Sequence, residues 1–152
     1  MEDCIFCKIV KGKIPCHKIY EDNDHLAFLD INPNTKGMTI VIPKKHYDSY
    51  VFNMPNDEYK KLLLIVKKVA RLLDKKLETK RTALVMEGMG INHAHIKLYP
   101  LHGLDKKFKE MWSKDKIHFD KYEGYISTQL GPRMNDEKLK KLAEEIRESK
   151  HR

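Results

Sequence analysis

The hydrophobic period of the chain changes several times, and each change marks an element. "KIYED" is a short strand, "HLAFLD" is apolar and aromatic, and "TIVIP" is β-branched. The turn formers of "INPNTKG" separate the last two, so a hairpin or meander is expected. Over residues 57–77 the period becomes helical, with apolar residues at Tyr59, Leu62, Leu63, Val66, Val69, Ala70, Leu73 and Leu77. Pro55 and Asn56 supply the entry, Asp57 and Glu58 suit the positive helix start, and Lys75 and Lys76 suit the negative end.

"RTALVMEG" returns to strand character, followed by the turn "GMG". The next stretch, "GINHAHIKLYP", alternates from His93 onward. It sets His93, His95, Lys97 and Tyr99 on one face, and Ala94, Ile96 and Leu98 on the other. Farther on, "DKKFKEMWSKDK" suggests a short helix and "YEGYIST" a short strand. Leu139, Leu142 and Ile146 are spaced for a final surface-packed helix. The order strands, helix, strands, helix predicts an α+β fold with an antiparallel sheet.

With 152 residues the chain suits one domain with a single sizeable core. Lysine and arginine outnumber acids by 30 to 22, which favours phosphate-bearing partners, from nucleotides to RNA. RNA is the less favoured of these. Lys60, Lys61, Lys67, Lys68 and Lys75 on the long helix have no aromatic residues interleaved as stacking platforms, and read as a solvated face. The start, "MEDCIFC", has neither a signal-peptide pattern nor an apolar run long enough for a membrane span. A reducing cytoplasm is expected, where three cysteines serve as thiols or metal ligands.

Cys4 and Cys7 have the spacing of two thiolates on one ion, but a redox pair or two buried thiols would look the same. His46 and His93 are the candidates to complete a tetrahedral set. The second histidine, His95, sits two residues from His93, so either both bind metal or one binds metal and the other reacts. An imidazole can attack phosphorus and then leave, carrying a covalent intermediate. Lys97 would supply charge to the phosphate, and the turn at Gly88 and Gly90 would present backbone N–H groups.

These motifs, in this order, resemble the histidine-triad (HIT) superfamily of nucleotide hydrolases and transferases. The resemblance runs from "CIFCKIV" through "IPKKH" to "NHAHIKLYP" and implies a HIT domain over residues 1–104, with 105–152 an extension packed on it. It implies an antiparallel sheet with one long central helix and a C-terminal helix, in a homodimer. It makes Cys4, Cys7, His46 and His93 ligands of a structural zinc and His95 the nucleophile. It also implies a nucleoside pocket from the first strands, with Ile5, Phe6, Ile9, Phe28 and Ile31 around the base and Asp30 on the ribose. The alternatives are ordinary core packing for the apolar residues and a turn cap for Asp30.

Three positions depart from the family's pattern. Lys97 stands where the third triad histidine contacts phosphate, Met38 replaces the histidine of the "KGHT" segment, and "MGIN" replaces the Gln-Thr/Ser pair before the triad. Lysine keeps a hydrogen bond and a permanent charge but is no near-neutral acid or base. The expected activity is attack at the α-phosphate of a nucleoside phosphoramidate or (di)nucleoside polyphosphate, giving hydrolysis or transfer. A catalytically weak nucleotide-binding module of the same fold is the alternative. Trp112 and His102 read as packing and surface residues, respectively.

Overall fold

In a computed structural model of the protein, residues 3–104, 114, 117–122, 124, 126–127 and 132–139 are described. The chain divides into two compact units, Met1–Lys107 and Phe108–Arg152. The first holds α1 (Ile5–Val10), β1 (Lys18–Glu21), β2 (His25–Leu29), β3 (Thr39–Pro43), a 3-10 turn (Val51–Asn53), α2 (Asn56–Leu77), β4 (Thr82–Val85) and β5 (Ile96–Pro100). The strands form one antiparallel sheet in the order β1-β2-β3-β5-β4. The meander is β1-β2-β3. α2 lies between β3 and β4 in the chain, and its amphipathic face needs the sheet as a partner.

That face presents Leu62, Val66, Val69 and Leu73, all buried, to Ala27, Val41, Ile96 and Leu98 of the sheet. Asp57 and Glu58 occupy its first turn and Lys75 and Lys76 its last. Glu78 closes it in a left-handed conformation, its N–H donating to Asp74 O. All five lysines assigned to the wet face are exposed, two of them in i,i+3 ion pairs with Asp57 and Glu58.

The opposite sheet face packs Leu26, Phe28, Ile40 and Ile42 against Phe6. The core is therefore two clusters, one on each side of the sheet, rather than one. α1 covers this second face, a helix where the sequence suggested only a ligand spacing followed by strands. It has six residues, too few for a helical period to register. Cys4 caps it, accepting the Cys7 N–H, and Gly12 at φ +70° lies just beyond its end.

Across this second face the register aligns Phe28, Ile40, Lys97 and Val85 in one row. The row brings apolar surface up to a single lysine in mid-sheet. β5 begins at Ile96, three residues later than the alternation suggested. The preceding residues bond elsewhere: Ala94 N–H donates to Tyr47 O and His93 N–H to Ile91 O. Pro43 has no N–H with which to extend the β3 ladder, and its carbonyl serves the His93 ring instead.

In the second unit, residues 136–139 are helical, at the start of the expected final helix; its later residues lie outside those described. Trp112 and most of "DKKFKEMWSKDK" also lie outside them. Tyr122, Gly124, Ile126 and Ser127, the described part of "YEGYIST", carry no strand.

Candidate active site and metal centre

Four side chains converge beside α1. Cys4 Sγ stands 3.4 Å from His93 Nδ1, and Cys7 Sγ stands 3.3 Å from His46 Nδ1 and 3.5 Å from His93 Nδ1. All four donor atoms lie within 4.8 Å of one another. Zinc bonds of about 2.3 Å to sulfur and 2.0–2.1 Å to nitrogen, at tetrahedral angles, set a sulfur–nitrogen separation near 3.6 Å. The observed separations fit such an ion. The His93 ring is also oriented for it: Nε2–H donates to Pro43 O at 2.8 Å, which turns the Nδ1 lone pair toward the thiols. Burial, and then the charges of His46 and His95, push the His93 pKa down, with the Pro43 hydrogen bond opposing. The neutral, ligating form is the favoured one. Burial, followed by the hydrogen bond and charge of Cys4, pushes the Cys7 thiol up, as expected of two thiols held close together.

His95 lies on the same sheet face as His93, and both rings meet the edge of Phe6, at 5.5 and 5.8 Å. The alternation predicted this sidedness correctly but not the depth: His93 is fully buried and His95 is 3% exposed. The two imidazoles have opposite hydrogen-bond arrangements. His95 Nδ1–H donates to His93 O at 2.7 Å, which leaves Nε2 as the atom with a free lone pair.

Lys97, the next residue on this face, is half-buried and forms a 2.7 Å ion pair with Glu87. The other Glu87 oxygen accepts the Met89 N–H at 2.6 Å. Burial disfavours both charges, but the pair's own hydrogen bond and attraction outweigh it. Lys97 is raised above the ordinary lysine value, with Tyr99 and Asp30 adding to the effect, and Glu87 is lowered below the ordinary carboxylate value. Glu87 was missed in the sequence, where "EGMG" drew attention to its glycines. The available signal was the strand period: Ala83, Val85 and Glu87 step along one face, and Val85 pairs directly with Lys97.

The turn at 88–90 is held by this carboxylate and by close packing. Gly88 has φ +71°, and a Cβ there would lie 2.5 Å from Ser49 O. Gly90 is also left-handed, at φ +86°. The neighbouring loop is tied in by Ser49 N–H, which donates to Asn92 Oδ1. Between the two glycines, the Met89 N–H is taken by Glu87 Oε2 at 2.6 Å.

The candidate base-binding residues separate. Phe6 and Phe28 are each 4% exposed and pack edge to face at 5.7 Å, so they are core residues as well as walls of this face. Both Ile5 and Ile31 are exposed, and Ile9 is half-buried. Ile5, Phe6 and Ile9 belong to α1, not to a strand. Asp30 follows β2, and its Oδ1 accepts the Asn32 N–H at 2.7 Å. That hydrogen bond is a turn cap, and it leaves a second carboxylate oxygen. Met38 is buried in the β2–β3 connection, and His102 is exposed, with Nε2–H donating to Lys36 O.

A model of the HIT domain matches residues 11–104. The chain belongs to the HIT family. Cys4 and Cys7 precede the matched span, while His46, His93, His95 and Lys97 fall within it. An uncharacterised HIT-like protein of Methanocaldococcus jannaschii is 42% identical over 120 residues, which cover 74% of this chain and 92% of that one. An adenosine 5'-monophosphoramidase of Candida albicans is 33% identical over 132 residues, covering 78% and 83%. Among solved structures, a zinc-bound histidine triad family protein from Mycobacterium smegmatis aligns with a TM-score of 0.62 at 30% identity, covering 69% of this HIT protein and 79% of that chain. Among the described residues, no helix is long and apolar enough to cross a membrane.

Proposed function

We propose that this HIT protein is a zinc-stabilised nucleotide hydrolase or nucleotidyl transferase acting at the α-phosphate through a covalent nucleotidyl-histidine on His95. The observation that carries the reading is the His95 Nδ1–H bond to His93 O, which frees Nε2 on the face that also carries the half-buried ammonium of Lys97. The activity named for the Candida albicans relative supports a phosphorus-centred reaction on an adenosine nucleotide.

Cys4, Cys7, His46 and His93 would hold the zinc, which would serve a structural role by tying α1 and the triad segment to the loop that follows β3. His95 Nε2 attacks the α-phosphorus as the bond to the leaving group breaks. Nδ1 keeps its proton, donated to His93 O, so the adduct is a cationic phosphorylimidazole from which the neutral imidazole departs readily. Water or another acceptor then attacks phosphorus, the P–N bond breaks, and neutral imidazole returns with one proton released. Lys97 offsets charge on the phosphate oxygens, as positioned cations do. The nucleoside lies over α1 and the ends of the first strands, near Ile5, Ile9 and Ile31, with the second Asp30 oxygen on the ribose. The family implies a homodimer, and unoxidised zinc ligands suit a reducing cytoplasm.

The test is mass spectrometry of the protein mixed with adenosine phosphoramidate and diadenosine polyphosphate. A nucleotidyl mass on the peptide holding His95, absent in His95→Ala, is expected. A second reading, nucleotide binding with little chemistry, draws on the engagement of Lys97 by Glu87. Saturable nucleotide binding with no adduct under any condition would establish that reading and overturn the first.

A further inference from the structure

Resting on the proposed nucleotidyl transfer, a second question is which leaving groups this site can expel. Lys97 stands where the third triad histidine is expected, and its ammonium is not free. Glu87 holds it at 2.7 Å, and the same carboxylate holds the Met89 N–H. Both side chains are largely withdrawn from solvent, at 26% and 16% exposure.

We propose that the Glu87–Lys97 pair sets the leaving-group preference of this enzyme. The pair favours nucleotides whose leaving group departs as a stable anion, such as sulfate or pyrophosphate, over phosphoramidates, whose nitrogen must gain a proton. Glu87 is the positioning residue, and Lys97 touches the substrate.

The argument follows the proton. When His95 Nε2 attacks a phosphosulfate, the electron pair of the breaking P–O bond stays on sulfate, and no proton is required. When it attacks a phosphoramidate, the pair goes to nitrogen, which must be protonated to leave as an amine. A near-neutral imidazole at the third position could give that proton. The ammonium here holds its proton more tightly than an ordinary lysine does, and the carboxylate beside it has none to give at neutral pH. Tyr99, the next group on this face, is four residues beyond His95, roughly 13 Å along an extended strand. Among the described groups of this face, His93 is turned to the thiols, His95 is the nucleophile, and Glu87 and Lys97 hold each other, which leaves no near-neutral acid among them to protonate the nitrogen. What the pair does supply is a fixed positive charge, useful to both substrates and sufficient for only one.

The experiment compares adenosine 5'-phosphosulfate with an adenosine N-alkyl phosphoramidate, using the full chain, E87Q and K97H. The wild type is expected to show kcat/KM at least 100-fold higher for the phosphosulfate. K97H restores an imidazole and should narrow that ratio at least tenfold; the comparison cancels the intrinsic reactivity of the two substrates. E87Q releases the lysine and should narrow the ratio at least threefold, which a purely structural change would not do. E87Q also carries the test should K97H fail to fold. Wild-type turnover of both substrates within tenfold of each other overturns the preference, and equal losses on both in E87Q overturn the role of Glu87. If neither substrate leaves an adduct on His95, nucleotidyl transfer itself fails. An adduct forming equally fast from both sinks the preference alone.

Discussion

Replacing Cys7 by serine isolates the contribution of the metal centre. Cys7 is buried, and its Sγ approaches both histidines of the cluster, at 3.3 Å from His46 and 3.5 Å from His93. Serine fits the space but replaces a thiolate with a hard hydroxyl, leaving three strong donors. The two cysteines are three residues apart, but the histidines lie 39 to 89 residues from them in the chain, so the unfolded protein presents no comparable four-ligand site. An ion that binds only the folded form stabilises it by RT ln(1 + [L]/Kd), about 2.7 kcal/mol at 100 times Kd and about 4.1 at 1,000 times. For a chain of this length that corresponds to roughly 5–16 °C in Tm. The wild type reconstituted with zinc should carry one ion per chain by elemental analysis and melt that much higher than after chelation. Cys7→Ser should carry none and show no chelator response. A thiol must lose its proton to bind zinc, and burial and Cys4 push the Cys7 thiol up, so loading should also release protons, and affinity should fall on acidification. A wild type that takes up no zinc, or a Cys7→Ser variant with the same chelator-sensitive melt, would refute the metal centre.

Leu62 is fully buried at the α2–sheet interface, so Leu62→Ala should cost about 2–5 kcal/mol in urea unfolding, and a loss below 1 kcal/mol would contradict that packing. Gly88→Ala puts a Cβ 2.5 Å from a backbone oxygen at φ +71°; a loss of about 1–3 kcal/mol is expected, whereas Gly90→Ala, with open space around it, should lose less. Glu87 has a lowered pKa, so its contribution is present above the unfolded carboxylate value and disappears as pH falls through the folded one. Lys97 has a raised pKa, so its contribution is present below the unfolded lysine value and is lost as pH rises through the folded one. The difference in stability between wild type and E87Q should therefore be a plateau of about 1–3 kcal/mol that shrinks at both ends of the pH range; a difference unchanged at pH 3 would contradict the ion pair.

The elements that could be read from the sequence are those long enough for a period to repeat. α2 spans six turns, so its stripe and both charged ends were visible, and the first three strands were separated by turn formers. α1 was invisible because six residues contain less than two turns. Its existence follows from the sheet face it must cover and from the Cys4 cap. The alternation of "HAHIKLYP" gave the right face for each side chain, since a strand's period does not depend on its hydrogen-bond partners. It could not say where the ladder begins, because that depends on Pro43 and Tyr47, some fifty residues earlier. The cysteine spacing suggested a metal, yet the two histidines that complete the set became specific only through a family pattern. Nothing in local sequence states that β3 and β5 are neighbours.

The same limit explains Glu87. Periodicity assigns a residue to a face, but its neighbour on that face is set by register. Here the register that pairs Val85 with Lys97 places the next same-face residue of the β4 overrun within reach of the ammonium. Read along the chain, Lys97 is a substitution in a triad and suggests a weakened enzyme. Read across the sheet, it is half of a partly buried pair whose other half was selected by position. Without the lysine, Glu87 would be a largely buried carboxylate that has lost the ion-pair partner of one oxygen, which is costly. The Lys97 ammonium meets that oxygen at 2.7 Å, so the departure at the third triad position comes with a partner of its own that the triad pattern alone does not reveal.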